Sequence, residues 1–138
     1  MLIREFNLSS DLAAARALWD ASAPGVRLGR SDTPEELQKK IRRDPDLFLV
    51  AEDAGVLIGT VIGGFDGRRG TIYHLAVARA YRGQGVGRAL MAEVERRLKE
   101  KGCTRAYLMV IKGNEAARFY ENLGWSVMTN VDTFAKDL

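Results

Sequence analysis

The chain has 138 residues, of which 46% are hydrophobic and 28% are charged. These values are ordinary for a folded globular protein with a buried core, and they exclude a disordered chain. The net charge of +3 suits an anionic ligand, but no long run of basic residues indicates nucleic-acid binding.

A single cysteine, Cys103, and a single histidine limit the covalent and metal chemistry of the chain. They exclude an internal disulfide, a cysteine-rich zinc site and a multi-histidine metal site, so no metal is predicted. No apolar run is long enough to span a membrane, and no signal-peptide pattern is present. We therefore expect one soluble, cytoplasmic domain over residues 1–138, with neither a membrane nor a nucleic acid as partner.

The first third of the chain predicts one strand and two helices. Residues 2–6 alternate in polarity as in a strand, and the polar residues 9–11 offer N-cap oxygens for a helix. Four apolar residues of that helix share one face: Leu12, Ala15, Leu18 and Trp19. The second helix is predicted to begin at Thr33, because Thr33-Pro34-Glu35-Glu36 has the capping-box pattern.

The middle of the chain predicts an antiparallel meander of three strands, at 47–52, 56–65 and 71–77. A helix over 86–101 follows, and its buried stripe repeats every four residues: Val86, Leu90, Val94 and Leu98. Two ion pairs are predicted on its exposed side: Glu93 with Arg97, and Glu95 with Lys99.

The last third predicts a strand over 105–111, a helix over 115–123 and a closing hairpin of 125–131 with 133–136. Because a helix separates the strand 105–111 from the strand 71–77, the two can run parallel through a right-handed crossover. The predicted fold is α/β, with a mixed, mostly antiparallel sheet, one parallel strand pair and about four helices.

A glycine-dense loop joins the strand 71–77 to the helix 86–101, with the sequence Arg82-Gly83-Gln84-Gly85-Val86-Gly87. Such a loop lets successive backbone N–H groups converge on one point, where the helix dipole adds positive potential. Arg82 and Arg88 add fixed charge, so a di- or triphosphate is the expected ligand. A tight turn that binds nothing is the alternative.

Three patterns of phosphate loop compete for this stretch. The P-loop needs Lys-Ser or Lys-Thr after its glycines, and neither is present. The dinucleotide fingerprint fails at Arg88 in place of glycine and at Lys112 in place of an acid, which disfavours a dinucleotide-dependent oxidoreductase. The third pattern, Arg/Gln-x-x-Gly-x-Gly/Ala, is matched in full by Arg82, Gly85 and Gly87.

This third pattern resembles the pyrophosphate loop of the GNAT superfamily of acyl-CoA N-acyltransferases. A second stretch resembles another signature of that superfamily: Asn114-Glu115-Ala116-Ala117-Arg118-Phe119-Tyr120-Glu121-Asn122-Leu123-Gly124-Trp125. Residues 47–70 resemble a small bacterial branch of YpeA type. The resemblance covers essentially the whole chain and is weakest over 22–31 and the last dozen residues.

The resemblance implies acetyl-CoA as co-substrate, with its pyrophosphate over the loop residues Arg82, Gly83, Gln84, Gly85, Val86, Gly87 and Arg88. The pantetheine arm would pair with the main chain of Leu75, Ala76 and Val77, between splayed parallel strands. Asn114 would bond the pantetheine or its neighbours, and Tyr120 would protonate the departing thiolate. Without the resemblance, Asn114 is a helix cap, and Tyr120 belongs to the apolar face of a short helix.

The general base is the least determined residue of the predicted site. Many relatives place a carboxylate in the strand before the loop, but 71–77 contains no Asp or Glu. Tyr73 occupies a position that often faces the acceptor, whereas His74 is chemically the better base. Strand alternation separates these two side chains unless a bulge intervenes, and a lone histidine in a strand is more often structural. A water chain is a further alternative.

The predicted function is transfer of an acetyl group from acetyl-CoA to a primary amine, by direct attack in a ternary complex. The missing carboxylate leaves a non-catalytic acyl-CoA-binding or sensing module as the alternative. The acceptor is expected to contact residues 20–35 and 125–138. Asp20, Asp32 and Asp66 could attract a cationic amine, although solvated surface carboxylates are the simpler interpretation. Relatives are often homodimers, but the residues give no physical basis for choosing an oligomeric state.

Overall fold

The computed structural model describes all 138 residues and forms a mixed five-stranded sheet with helices on both faces. The strands are β1 (Leu2–Glu5), β2 (Phe48–Asp53), β3 (Val56–Phe65), β4 (Gly70–Val77) and β5 (Ala106–Leu108). The helices are α1 (Leu8–Ala21), α2 (Pro34–Arg43), α3 (Val86–Glu100) and α4 (Ala116–Asn122). The sheet order is β1-β2-β3-β4-β5, and only β4 and β5 are parallel. The predicted fold class is confirmed.

Two hydrophobic cores lie on opposite faces of the sheet. The predicted stripe of α3 packs on one face, whereas Trp19 of α1 and Leu37 of α2 pack on the other. The alternation along β2 explains the division, because Leu49 belongs to the α3 side while its neighbours Phe48 and Val50 belong to the α1 and α2 side. None of the helices combines the length and the apolarity that crossing a bilayer requires.

Glycines in β3 let α3 lie directly on the sheet. A Cβ atom on Gly59 would come 2.9 Å from Leu90 Cδ1, and one on Gly63 would come 2.7 Å from Val94 Cγ2. Both distances are shorter than carbon atoms tolerate. The end of the Leu90 side chain can turn aside, but the stiff Val94 side chain cannot, so a side chain at position 63 would push the helix away from the sheet. The same packing fixes the start of α3 near the end of β4.

The start of α1 differs from the prediction. Asn7 caps the helix in place of residues 9–11, since its Oδ1 accepts hydrogen bonds from the backbone N–H groups of Ser9 and Ser10 at 3.1 and 3.2 Å. Asp11 is buried and accepts two hydrogen bonds from the Arg4 guanidinium, at 2.8 and 2.9 Å. These bonds hold the pKa of Asp11 below its usual range and tie α1 to β1. Thr33 caps α2 as predicted.

The C-terminal hairpin predicted over 125–131 and 133–136 is wrong, because no strand forms after α4. Its apolar side chains after Trp125 lie exposed, with Phe134 at 93%, so no buried face stabilises strand pairing there. The strand predicted over 105–111 is confined to β5, since β4 pairs with it only over that length.

One of the two ion pairs predicted on α3 forms, between Glu93 and Arg97 at 2.8 Å. The predicted pair of Glu95 with Lys99 is wrong. The Glu95 carboxylate instead accepts a hydrogen bond at 3.0 Å from the indole N–H of Trp125, which follows α4.

The close packing of α3 on β3 predicts a specific sensitivity to a single methyl group. Gly63→Ala should lower the free energy of unfolding by about 1–3 kcal/mol, because the stiff Val94 side chain cannot move aside without strain. Urea denaturation measures the loss. Gly29→Ala is the matched control, since a Cβ atom there meets nothing within 4 Å. Equal stabilities of the two variants would contradict the packing described.

Candidate functional site

Strand β4 contains one extra residue opposite β3. Thr60 pairs with Ala76 and Ile62 with Tyr73, so two steps along β3 correspond to three along β4. His74, in the resulting bulge, has a φ of 52°, which is uncommon for a residue with a Cβ atom. The rings of Tyr73 and His74 lie 5.5 Å apart, edge to face. The bulge therefore interrupts the alternation of side chains along β4, which would otherwise place Tyr73 and His74 on opposite faces of the sheet.

Three contacts hold His74 in this conformation. Its Nε2 lies 2.7 Å from Asp32 Oδ1, and its backbone carbonyl accepts a hydrogen bond from the Thr60 hydroxyl at 2.8 Å. The Thr60 hydroxyl in turn accepts a hydrogen bond at 2.9 Å from the indole N–H of Trp19, whose ring packs 5.0 Å from the imidazole. Strained backbone of this kind persists only where surrounding contacts determine it, and it concentrates at functional sites.

Asp32 lies in the short turn between α1 and α2, and only 7% of it is exposed. Its Oδ2 accepts a hydrogen bond from the Gly29 N–H at 2.8 Å, and its carbonyl accepts one from Arg16 at 2.7 Å. The interpretation of Asp32 as a solvated surface carboxylate is wrong. The turn therefore brings a buried carboxylate from another part of the chain against His74 of β4.

The glycine loop presents a continuous run of free backbone donors. Gly83 and Gly85 have φ values of 76° and 84°, which glycine adopts without strain. None of the backbone N–H groups of residues 83–88 donates to a protein acceptor. The first hydrogen bond of α3 runs from the Ala89 N–H to the Gly85 carbonyl. Such a run at a helix N-terminus attracts anions.

Strands β4 and β5 part beside this loop. They pair only from Gly70 with Ala106 to Ile72 with Leu108, whereas β4 continues to Val77. The main chain of Leu75, Ala76 and Val77 therefore borders an open strand edge, and the carbonyl of Val77 accepts a hydrogen bond from Arg82 at 3.1 Å. This is the separation of the parallel strands that the sequence predicted.

Helix α4 packs against the glycine loop. A Cβ atom on Gly87 would lie 3.2 Å from Phe119 Cζ and 3.6 Å from Val77 Cγ2, so the loop, the end of β4 and α4 meet at one place. Burial raises the pKa of Tyr120, so its phenol keeps its proton at neutral pH. Asn114 accepts a hydrogen bond from the Ala116 N–H at 2.9 Å, which agrees with its expected capping role.

The predicted catalytic residues belong to different faces of the sheet. Tyr73 and His74 lie on the side of α1 and α2, whereas Tyr120 packs with the α3 core. Burial raises the pKa of Tyr73, and the charges of Asp32 and Asp44 raise it further. No group of three or more His, Cys, Asp or Glu side chains is placed to hold a metal ion.

Comparison with known proteins gives a consistent family match. The model of the acetyltransferase (GNAT) family matches residues 12–125. An acetyltransferase of Sodalis glossinidius is 40% identical over 109 residues, which are 78% of this chain and 77% of that protein. The assignment to a YpeA-type branch stays a prediction.

Solved structures share the fold. The crystal structure of Ard1 from Thermoplasma volcanium matches with a TM-score of 0.79 and 25% identity, over 93% of this chain and 84% of that one. A Mycobacterium tuberculosis protein in complex with CoA and NLQ matches with a TM-score of 0.77 and 20% identity, over 98% of this chain and 77% of that one. At 20% identity, the likeness to the Mycobacterium tuberculosis protein concerns the fold alone.

The Thr60 hydroxyl links Trp19 to the carbonyl of His74, so its removal should destabilise the protein. Thr60→Val should lower the free energy of unfolding by about 1–3 kcal/mol, because it leaves the buried Trp19 N–H without an acceptor. Thr71→Val makes the same chemical change at an exposed position of β4 and should cost far less. Denaturant titration compares the two, and an equal loss would contradict the assigned role of Thr60.

Proposed function

Because the chain belongs to the GNAT acetyltransferase family, we propose that it transfers an acetyl group from acetyl-CoA to a primary amine by direct attack in a ternary complex. The observation that carries the proposal is the run of free N–H groups over 83–88, beside the point where β4 and β5 part. A diphosphate suits such a run, and an extended arm suits an open strand edge.

The residues present fit acetyl-CoA. Its pyrophosphate would bind the N–H groups of 83–88, between the exposed side chains of Arg82 and Arg88. The pantetheine arm would run along the main chain of 75–77 toward the bulge, with Asn114 near it. The CoA complex of the Mycobacterium tuberculosis protein supports the choice of ligand through the shared fold.

We assign the general base to His74, with Asp32 as its orienting carboxylate. Nε2 bonds Asp32, which leaves Nδ1 as the nitrogen that can take a proton from the amine. Buried Asp32 favours the tautomer with the proton on Nε2 and stabilises the imidazolium that forms. A sensing module would need no such pair at a strained position, so the pair favours catalysis over binding alone.

We assign the acid to Tyr120. Attack of the amine nitrogen on the thioester carbonyl forms the C–N bond, and the C–S bond breaks. The departing sulfur can take the phenolic proton, which Tyr120 retains at neutral pH because of its burial. The two groups would therefore act from opposite faces of the sheet, with His74 on the α1 side and Tyr120 on the α3 side, beside the edge of β4 that β5 leaves unpaired.

Binding of CoA tests the loop assignment. Gly85→Glu should abolish most of the measurable CoA affinity in calorimetry, because it strains the loop and places a negative charge among the free N–H groups. Gly55→Glu is the matched control, since Gly55 has a φ of 80° in a turn between β2 and β3. Undiminished CoA affinity in Gly85→Glu would rule out the loop as the pyrophosphate site.

Turnover tests the two catalytic assignments. Tyr120→Phe should lower kcat about 10²-fold with little change in CoA affinity, since the ring stays and only the proton donor is lost. His74→Gln should lower kcat to a similar extent, because the proton acceptor is lost, and Asp32→Asn should do so less strongly. Initial rates with acetyl-CoA and a panel of primary amines measure these effects. Parent rates in both Tyr120→Phe and His74→Gln would refute the assignments.

A further inference from the structure

An open cleft of about 690 Å³ lies between the end of α2, the turn from β3 to β4, and β5. Its polar lining includes Lys40, Arg43, Arg69, Thr71, Tyr73 and Tyr107. This volume lies within the range of small-molecule sites in proteins. Tyr73 lines the cleft, and its ring lies 5.5 Å from the His74 ring, so the cleft lies beside the proposed base.

The two carboxylates of the cleft both have partners within the protein. The Asp44 Oδ2 atom lies 2.7 Å from Lys40 Nζ and 3.5 Å from Arg43 Nε, so its charge is paired. The Asp66 Oδ1 atom accepts hydrogen bonds from the backbone N–H groups of Arg68 and Arg69, both at 2.8 Å, which orient this carboxylate within its turn.

Positive charge in the cleft exceeds what these carboxylates neutralise. The Arg69 side chain forms no ion pair with any carboxylate of the chain, and its guanidinium lies 5.8 Å above the Tyr107 ring. Arg105 lies 5.5 Å from the same ring and donates a hydrogen bond to its hydroxyl. Arg69 lines the cleft and Arg105 lies beside its Tyr107 wall, and both are exposed guanidinium donors of the kind that recognises carboxylates and phosphates.

We propose that this cleft binds an anionic group, a carboxylate or a phosphate, at the end of the acceptor distant from its reacting amine. The inference rests on the proposed function, because it takes the amine to lie at His74. Arg69 precedes His74 by five positions in the chain, so their Cα atoms lie at most about 16 Å apart at about 3.3 Å per residue. The long arginine side chain spans part of this distance, so the substrate class is an extended amine with a terminal anion.

Three acceptors with the same six-carbon chain test the proposal: aminohexanoate, aminohexyl phosphate and aminohexanol. Each acceptor is assayed with acetyl-CoA and one of three proteins: the parent, Arg69→Glu or Arg68→Glu. Arg68 is the matched control, because it is exposed in the same turn but does not line the cleft. We expect the parent to favour at least one anionic acceptor over aminohexanol by about tenfold or more in kcat/KM, mainly through KM.

The charge reversal at Arg69 should remove that preference, while Arg68→Glu should retain most of it. The two anionic acceptors separate carboxylate from phosphate recognition. Equal kcat/KM values for all three acceptors in the parent would overturn the proposal, and so would equal effects of the two reversals.

A binding measurement tests the anion site independently of the proposed acetyl transfer. If none of the three amines is acetylated, amide chemical shifts of residues 66–73 are followed by NMR while aminohexanoate or aminohexyl phosphate is added. Saturable shifts in the parent that Arg69→Glu abolishes would support the anion site even without turnover. Their absence for both compounds would overturn it, whatever the protein catalyses.

Discussion

His74 occupies a backbone conformation that costs on the order of 1–3 kcal/mol, and contacts from three separate elements offset that cost. Thr60 of β3 holds its carbonyl, Asp32 holds its imidazole, and Trp19 of α1 packs against its ring. The bulge therefore depends on the placement of α1 and of the turn before α2. In return it brings Tyr73 and His74 onto the face that this turn borders.

The glycines of β3 provide the second constraint. Because Gly59 and Gly63 admit Leu90 and Val94 at close range, α3 lies flat on the sheet and its first turn stays beside the end of β4. The free N–H groups of 83–88 are thereby fixed next to the strand edge that β5 leaves open.

Much of this arrangement could be predicted from the sequence, because local signals were strong. The four-residue stripe of α3, the cap at Thr33 and the glycine turns each have a single good structural solution. The Asp32–His74 pair could not be found in the same way, since it joins residues far apart in sequence. The bulge also carries no glycine or proline at its strained position. The prediction of a C-terminal hairpin was wrong because its signal was only local. Residues 125–136 have strand-like composition, but no sheet surface covers them.

Hydrogen exchange of backbone amides, with and without CoA, reports on the loop and the strand edge together. We expect added protection over 83–88 and 75–77 on binding, and none in the turn 66–69. Protection confined to other segments, or unchanged exchange at 83–88 under saturating CoA, would contradict this expectation.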